Sequence, residues 1–335
     1  MMSETTPQTS SGSTPPTTTQ PERTHSVHLG TKAAALAADI KLAHSVFALP
    51  FALLGALLAA APTVPESSIA WPTLAGQLAL AAVCMVAART WAMVVNRLAD
   101  RRFDAHNPRT AKRAFAAGTL SPKDGYAVLV ISAAVFLAAS AAYWPLYDNP
   151  WPLVGAPTIL AWLAFYSFTK RFTAACHLVL GSALALSPIA AAIAVGGLDA
   201  VGSHQNAPAI WALAAMVTLW VAGFDVIYAL ADRAFDRENG LRSLPAALGW
   251  TNAARTSAAM HALASVALIL AWTQSPTLGP AFGIAAALTV GLLIAEHAVL
   301  AVRRERGLHT AFFTINGVVA LVLGAAGAAD LLLGP

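Results

Sequence analysis

Residues 73–104 read TLAGQLALAAVCMVAARTWAMVVNRLADRRFD. Apolar residues dominate from 73 to 95, a length that crosses a bilayer as one helix. They do not alternate with polar residues, as a strand of a membrane barrel would require. Beyond them Asn96, Asp100 and Asp104 follow at steps of four. Each such step turns a helix by about 40°, so the three oxygen-bearing side chains line one face. Arg89 lies seven residues before Asn96, near the same meridian.

The composition of the chain extends this reading. Hydrophobic residues make up 57% of the 335 and charged residues 11%, whereas soluble domains carry about 25% charged residues. Mean hydropathy is +0.63. A soluble enzyme, a coiled coil and a disordered chain are excluded. The two cysteines, Cys84 and Cys176, are too few for a disulfide framework and lack metal-ligand spacing.

Nine apolar runs follow one another, near 42–62, 73–95, 125–147, 151–169, 177–198, 209–231, 256–273, 280–302 and 311–334. They predict an all-α polytopic membrane bundle of about nine transmembrane helices. The seventh run is the shortest, and eight spans is the alternative. Residues 1–24 contain sixteen Ser, Thr or Pro. That composition buries no core, so 1–30 is expected to be a disordered cytoplasmic tail and 31–335 a single transmembrane domain. The loops at 63–72, 148–150, 199–208 and 274–279 hold no Lys or Arg, while the intervening loops hold nearly all of them. This asymmetry puts the N-terminus and the basic loops in the cytoplasm, and the chain in the cell's inner membrane. The net charge of +4 reflects that orientation rather than a nucleic-acid partner.

A second acidic set closes the sixth run. Asp225, Asp232 and Asp236 fall within about a 40° arc by the same arithmetic, and Tyr228 lies beside them. Leu98–Asp104 reads LADRRFD and Leu230–Asp236 reads LADRAFD, so one acidic device occurs twice, each time at the cytoplasmic end of a span. Carboxylates inside a membrane are costly and usually functional. Six oxygen ligands on two helices suit a hard divalent cation such as Mg²⁺, which takes few carboxylates and keeps positions for phosphate oxygens. Lys and Arg follow these segments at Arg109, Lys112, Arg113, Lys170, Arg171, Arg237 and Arg242. Cations around a metal–carboxylate site favour a diphosphate.

At these residues the chain resembles the UbiA superfamily of membrane prenyltransferases. That family's N-x-x-x-D-x-x-x-D motif matches Asn96, Asp100 and Asp104. Its D-x-x-x-D motif matches Asp232 and Asp236, with Asp225 and Tyr228 upstream. The runs His44–Gly55 and Tyr166–Thr173 also look like family segments, and the resemblance covers roughly 35–330. Within the superfamily the chain looks closest to the 4-hydroxybenzoate polyprenyltransferases. Asn107-Pro-Arg-Thr-Ala and Ala311–Asn316 resemble the branch assigned to the futalosine route to menaquinone. One departure is Arg113-Ala-Phe-Ala, where the family usually has Arg-Pro-Leu-Pro.

The resemblance implies Mg²⁺-dependent transfer of a polyprenyl group from its diphosphate to an aromatic acid, within the bilayer. It implies Asn96, Asp100, Asp104, Asp225, Asp232 and Asp236 as metal ligands, with Asp100, Asp104, Asp232 and Asp236 catalytic. Arg113, Lys170 and Arg242 are expected on the diphosphate, and Arg171, Arg89 and Tyr228 at the acceptor. His44, His177 and His297 are weak site signals, and Glu296 reads as an interhelical hydrogen-bonding residue. Rival readings are an acceptor such as haem, chlorophyllide or homogentisate, and a cation transporter. A transporter places its acids near the bilayer midplane, whereas both sets here lie at one face.

Overall fold

In the computed structural model, described over residues 29–40, 48–62, 69–308 and 314–333, every regular element is helical. The helices are α1 (Leu29–Ile40), α2 (Leu49–Ala60), α3 (Trp71–His106), α4 (Pro122–Tyr147), α5 (Trp151–Thr169) and α6 (Cys176–Gly196). They continue as α7 (Ala207–Ala229), α8 (Arg233–Glu238), α9 (Leu244–Thr273), α10 (Pro280–Arg303) and α11 (Asn316–Leu333). Seven of the helical stretches are long and apolar enough to span a bilayer; α2 and α11 are apolar but shorter. The protein is therefore a multi-pass membrane protein. The expected Ser/Thr/Pro-rich tail falls outside the described residues through position 28, as do His44 and residues 311–313. The weak seventh run lies in α9, a helix of 30 residues and one of the seven candidate spans.

Local chemistry sets the ends of these helices. Ser121 and Asp124 form a reciprocal capping box at the start of α4, satisfying backbone N–H groups that a first turn leaves unpaired. Ser243 caps α9 by accepting from the Ala246 N–H. Proline opens α4 and α10, where its missing N–H costs nothing. Two turns into α9 the backbone breaks at Gly249, with φ 74° and ψ 178°, a region open essentially to glycine alone. The start of α10 is held from another helix: Asp330 accepts from the N–H groups of Gly279, Ala281 and Phe282.

Neighbouring helices pack in the order α3, α4, α5, α6, α7, α9, α10 and α11, and α11 closes against α2, which also lies along α6. Helix α7 is central, with Met216, Val217, Trp220 and Ile227 fully buried. Small residues permit the close approaches expected inside a membrane. At Gly181 of α6, a Cβ would sit 2.1 Å from the Thr218 carbonyl oxygen of α7. One turn on from Gly181 along α6 is His177, and two turns on from Thr218 along α7 is Asp225. The same close approach delivers these two side chains to each other.

Candidate active site

The first acidic set is carried by the unbroken α3. The second is not on one helix. Helix α7 ends at Ala229, Leu230–Asp232 form a tight 3-10 turn, and α8 begins at Arg233. The arc computed for a continuous helix therefore does not apply to Asp232 and Asp236. The turn brings Asp232 to Asn107 Nδ2, at 3.1 Å, and to Arg109.

Both sets face one cavity of about 300 Å³ at the end of the bundle, lined by all six proposed ligands together with Arg89, Arg113, Lys170 and Tyr228. Within it each carboxylate is paired. Arg113 Nη1 reaches both oxygens of Asp104 at 2.8 and 2.9 Å. Arg171 Nη2 donates to Asp100 Oδ1 at 2.9 Å and to the Ala99 carbonyl at 2.8 Å, its guanidinium stacked over Phe168. Lys170 Nζ lies 3.0 Å from Asp236 Oδ1 as an ion pair. Arg109 holds Asp232 with two donors, Nε at 2.9 Å and Nη2, and its Nη1 donates to the Tyr228 hydroxyl at 2.5 Å. Asn96 donates to Asp100 Oδ2 at 3.3 Å. Burial opposes the charge on Lys170, but Asp236, Asp100 and Asp232 outweigh it and hold the ammonium above its ordinary pKa. The same balance, with Asp232 as the main partner, raises Arg109.

Two predicted residues stand apart from the cavity wall. Arg171 is engaged with Asp100 as described. Arg242 is exposed, its Nη1 donating to the Phe172 carbonyl at 3.1 Å and its backbone N–H to the Lys170 carbonyl at 2.7 Å. Two wall residues carry no assigned site role from the sequence, where Arg109 is one of several flanking cations and His177 a weak signal. Arg109 is the partner of Asp232, and its proximity to the first motif was the available signal. His177 is 2% exposed; its Nδ1 lies 2.6 Å from Asp225 Oδ2, and its Nε2 accepts the Leu244 N–H at 3.2 Å. Its place seven residues beyond Lys170 put it at the same end of the bundle.

No three His, Cys, Asp or Glu side chains among the described residues form a ready-made metal cage. The donor chemistry nevertheless fits a hard cation: the six side chains offer only oxygen as ligand atoms. Asp236 is 1% exposed, and among the described residues its buried oxygens have no hydrogen-bond partner beyond the Lys170 ammonium. The Lys170 ion pair alone meets that charge, leaving coordination capacity.

A second cavity, about 280 Å³ and almost wholly apolar, lies between α3, α4, α5 and α6. Arg89, Met93, Tyr166, Leu180 and Leu184 belong to the walls of both cavities. The polar site thus adjoins an apolar one inside the bundle.

Fold and site together define a multi-pass helical membrane protein with paired acidic motifs around one cavity. The chain belongs to the UbiA prenyltransferase family, whose model matches residues 48–318. A 4-hydroxybenzoate octaprenyltransferase of Saccharophagus degradans is 34% identical over 216 residues, 63% of this chain and 64% of that protein. The match thus spans somewhat under two thirds of that relative. The Citrobacter koseri protein of the same name is 29% identical over 81% of this chain and 89% of its own. Among solved structures, the apo UbiA homologue of Aeropyrum pernix superposes with a TM-score of 0.74 at 32% identity, covering 87% of this chain and 98% of that one. A UbiA homologue of Archaeoglobus fulgidus bound to GPP and Mg²⁺ shares the fold, with a TM-score of 0.62 at 16% identity over 89% of this chain and 99% of that one.

Proposed function

We propose that this protein transfers a polyprenyl group from its diphosphate to an aromatic acid, 4-hydroxybenzoate or a dihydroxynaphthoate, in quinone biosynthesis. The observation that carries the proposal is the adjacency of the two cavities. A site of carboxylates and cations suited to a charged head shares a wall with an apolar space suited to an isoprenoid tail. The relatives named 4-hydroxybenzoate octaprenyltransferase support the acceptor class. The menaquinone alternative rests on the resemblance of 107–111 and 311–316.

Asn96, Asp100, Asp104, Asp225, Asp232 and Asp236 would hold Mg²⁺. When bound, the metal neutralises charge that builds on the diphosphate as the allylic C–O bond breaks. Arg109, Arg113 and Lys170 are now paired with these carboxylates, so each can turn to a phosphate oxygen once its carboxylate is otherwise engaged. Arg242, the third residue expected on the diphosphate, would have to leave the Phe172 carbonyl to join them. Burial between α3 and α7 keeps water from the allylic carbon. Arg89, at the junction of the two cavities, fits the acceptor's carboxylate as a planar two-donor partner. Tyr228, paired with Arg109, would lie beside the aromatic ring. The active site would face the cytoplasm of the inner membrane, where the acceptor and the diphosphate head are soluble.

Purified protein given a prenyl diphosphate and a panel of aromatic acids tests the proposal through product mass and Mg²⁺-dependent diphosphate release. Asp100→Asn and Asp232→Asn are expected to abolish both while the protein still purifies as a folded species. Product formed at wild-type rate by either variant would remove that residue from the metal site.

A further inference from the structure

A second polar cavity lies at the same end of the bundle and shares no wall residue with the active site. It is open, about 750 Å³, and its wall is made by Arg303, Arg304 and Arg306 after α10, Arg233 at the start of α8, Trp250, Val302 and Glu305. Four arginines and one glutamate stand in that wall. In the active site, by contrast, Arg109, Arg113, Lys170 and Arg171 each have an aspartate. None of these four arginine side chains has an ion pair or hydrogen bond with another described residue. Membrane orientation accounts for cations at this face, but not for gathering positions 70 residues apart around one space.

The backbone contributes to the gathering. Helix α10 stops where Arg304 takes φ 45° and ψ −124°, a conformation costly for a residue with a Cβ. The turn Arg304–Gly307 follows, keeping Arg304 and Arg306 beside Arg303. The apolar part of the wall indicates what kind of anion fits. Val302 is 83% exposed, directly before the arginines, and a bulky apolar side chain there belongs against hydrocarbon. Trp250 is the residue type that sits at headgroup depth. A cationic cleft with an exposed apolar residue on its rim and a tryptophan in its wall matches a headgroup with its acyl chains attached, not a free anion.

We propose that this cleft binds an anionic phospholipid headgroup, with the guanidinium groups on its phosphate and Val302 against its acyl chains. The site is independent of the prenyl transfer argued above. Guanidinium–phosphate pairing makes binding fall as salt rises.

Full-length protein in detergent, titrated with phosphatidylglycerol and read by native mass spectrometry, tests this. Phosphatidylcholine and pyrophosphate serve as the other arms. Phosphatidylglycerol is expected to bind selectively, and pyrophosphate is expected not to displace it. The variant R303Q/R304Q/R306Q should lose about five-fold in phosphatidylglycerol affinity for each guanidinium removed, with phosphatidylcholine binding unchanged. Wild-type phosphatidylglycerol affinity in that variant would overturn the proposal. So would displacement of the lipid by pyrophosphate, which would make this a site for soluble phosphate. Should the triple variant fail to fold, R233Q, on a separate helix, carries the same test. A single five-fold loss supports the site and an unchanged affinity overturns it.

Discussion

His177 shows how one side chain can be fixed by two bonds made in opposite senses. Its Nε2 accepts the Leu244 N–H, so the ring proton sits on Nδ1 and is donated to Asp225. The residue thereby orients one oxygen-bearing group of the second acidic set without itself needing to touch substrate. Two amide variants separate the bonds. Asparagine can keep a donor near the Nδ1 position, whereas glutamine can keep only the acceptor near Nε2. His177→Asn is expected to retain most divalent-cation affinity, and His177→Gln to lose about 10- to 100-fold, the usual loss when a ligand's supporting partner is removed. Cation titration of the purified protein reads this directly; equal affinities in the two variants would detach His177 from the metal site. Arg89 and Arg171 make the second comparison at this scale. Arg89 walls both cavities and Arg171 is bound to Asp100. Arg89→Lys should raise the KM for the aromatic acid, because a lysine loses the two-donor fork. Arg171→Lys should instead shift the Mg²⁺ dependence, since its bond to Asp100 is weakened. A KM for the acid that rises only in the Arg171 variant would return the acceptor role to that residue.

Between elements, the α6–α7 contact decides whether the second acidic set is assembled. At Gly181 the Thr218 carbonyl occupies the place where a Cβ would lie. Backbone cannot yield as a flexible side chain can, so Gly181→Ala must push the helices apart. Overpacking of this kind costs about 1–3 kcal/mol. The separation also propagates along both helices to His177 and Asp225. The variant is therefore expected to lose thermal stability and divalent-cation affinity together. Gly291→Ala in α10 is the matched control, because nothing lies within 4 Å of its added Cβ. Its unfolding midpoint should stay level or rise, as alanine favours a helix interior by about 1 kcal/mol over glycine. A Gly181→Ala variant as stable and as metal-competent as the control would show that α6 and α7 tolerate separation.

The whole molecule divides into a charged end and an apolar body. Both acidic sets, the basic residues paired with them and the arginine cleft after α10 occupy one end. The other end is tied by contacts that use no Lys or Arg. Asn206 donates to the Leu58 carbonyl and accepts from Ser275, and Asp330 holds the start of α10. Insertion energetics favour keeping Lys and Arg on the cytoplasmic side. A reporter fused after Ser121 or Leu244 should therefore read cytoplasmic, and one placed near Gln205 external. An external signal at Ser121 would place the site on the face opposite its soluble substrates.

The sequence by itself determined features that depend on neighbours along the chain. Span length, the Lys/Arg asymmetry and the placing of Asn96, Asp100 and Asp104 on one face of α3 follow from hydrophobicity and the 3.6-residue period, and α3 carries them without interruption. The second set lay beyond that reach, because a 3-10 turn at Leu230–Asp232 interrupts the period. A turn of that kind is stabilised by distant partners, here Asn107 and Arg109. Tertiary structure alone decided which side chain meets which carboxylate: Arg109 with Asp232, Lys170 with Asp236 and His177 with Asp225. It also decided that an apolar cavity lies within the bundle beside the polar site, with Arg89 and Tyr166 in both walls. Spacing along a helix fixes direction around its own axis. Which neighbour lies in that direction depends on how closely two helices pack, and in this protein that distance is set at contacts such as Gly181 on Thr218.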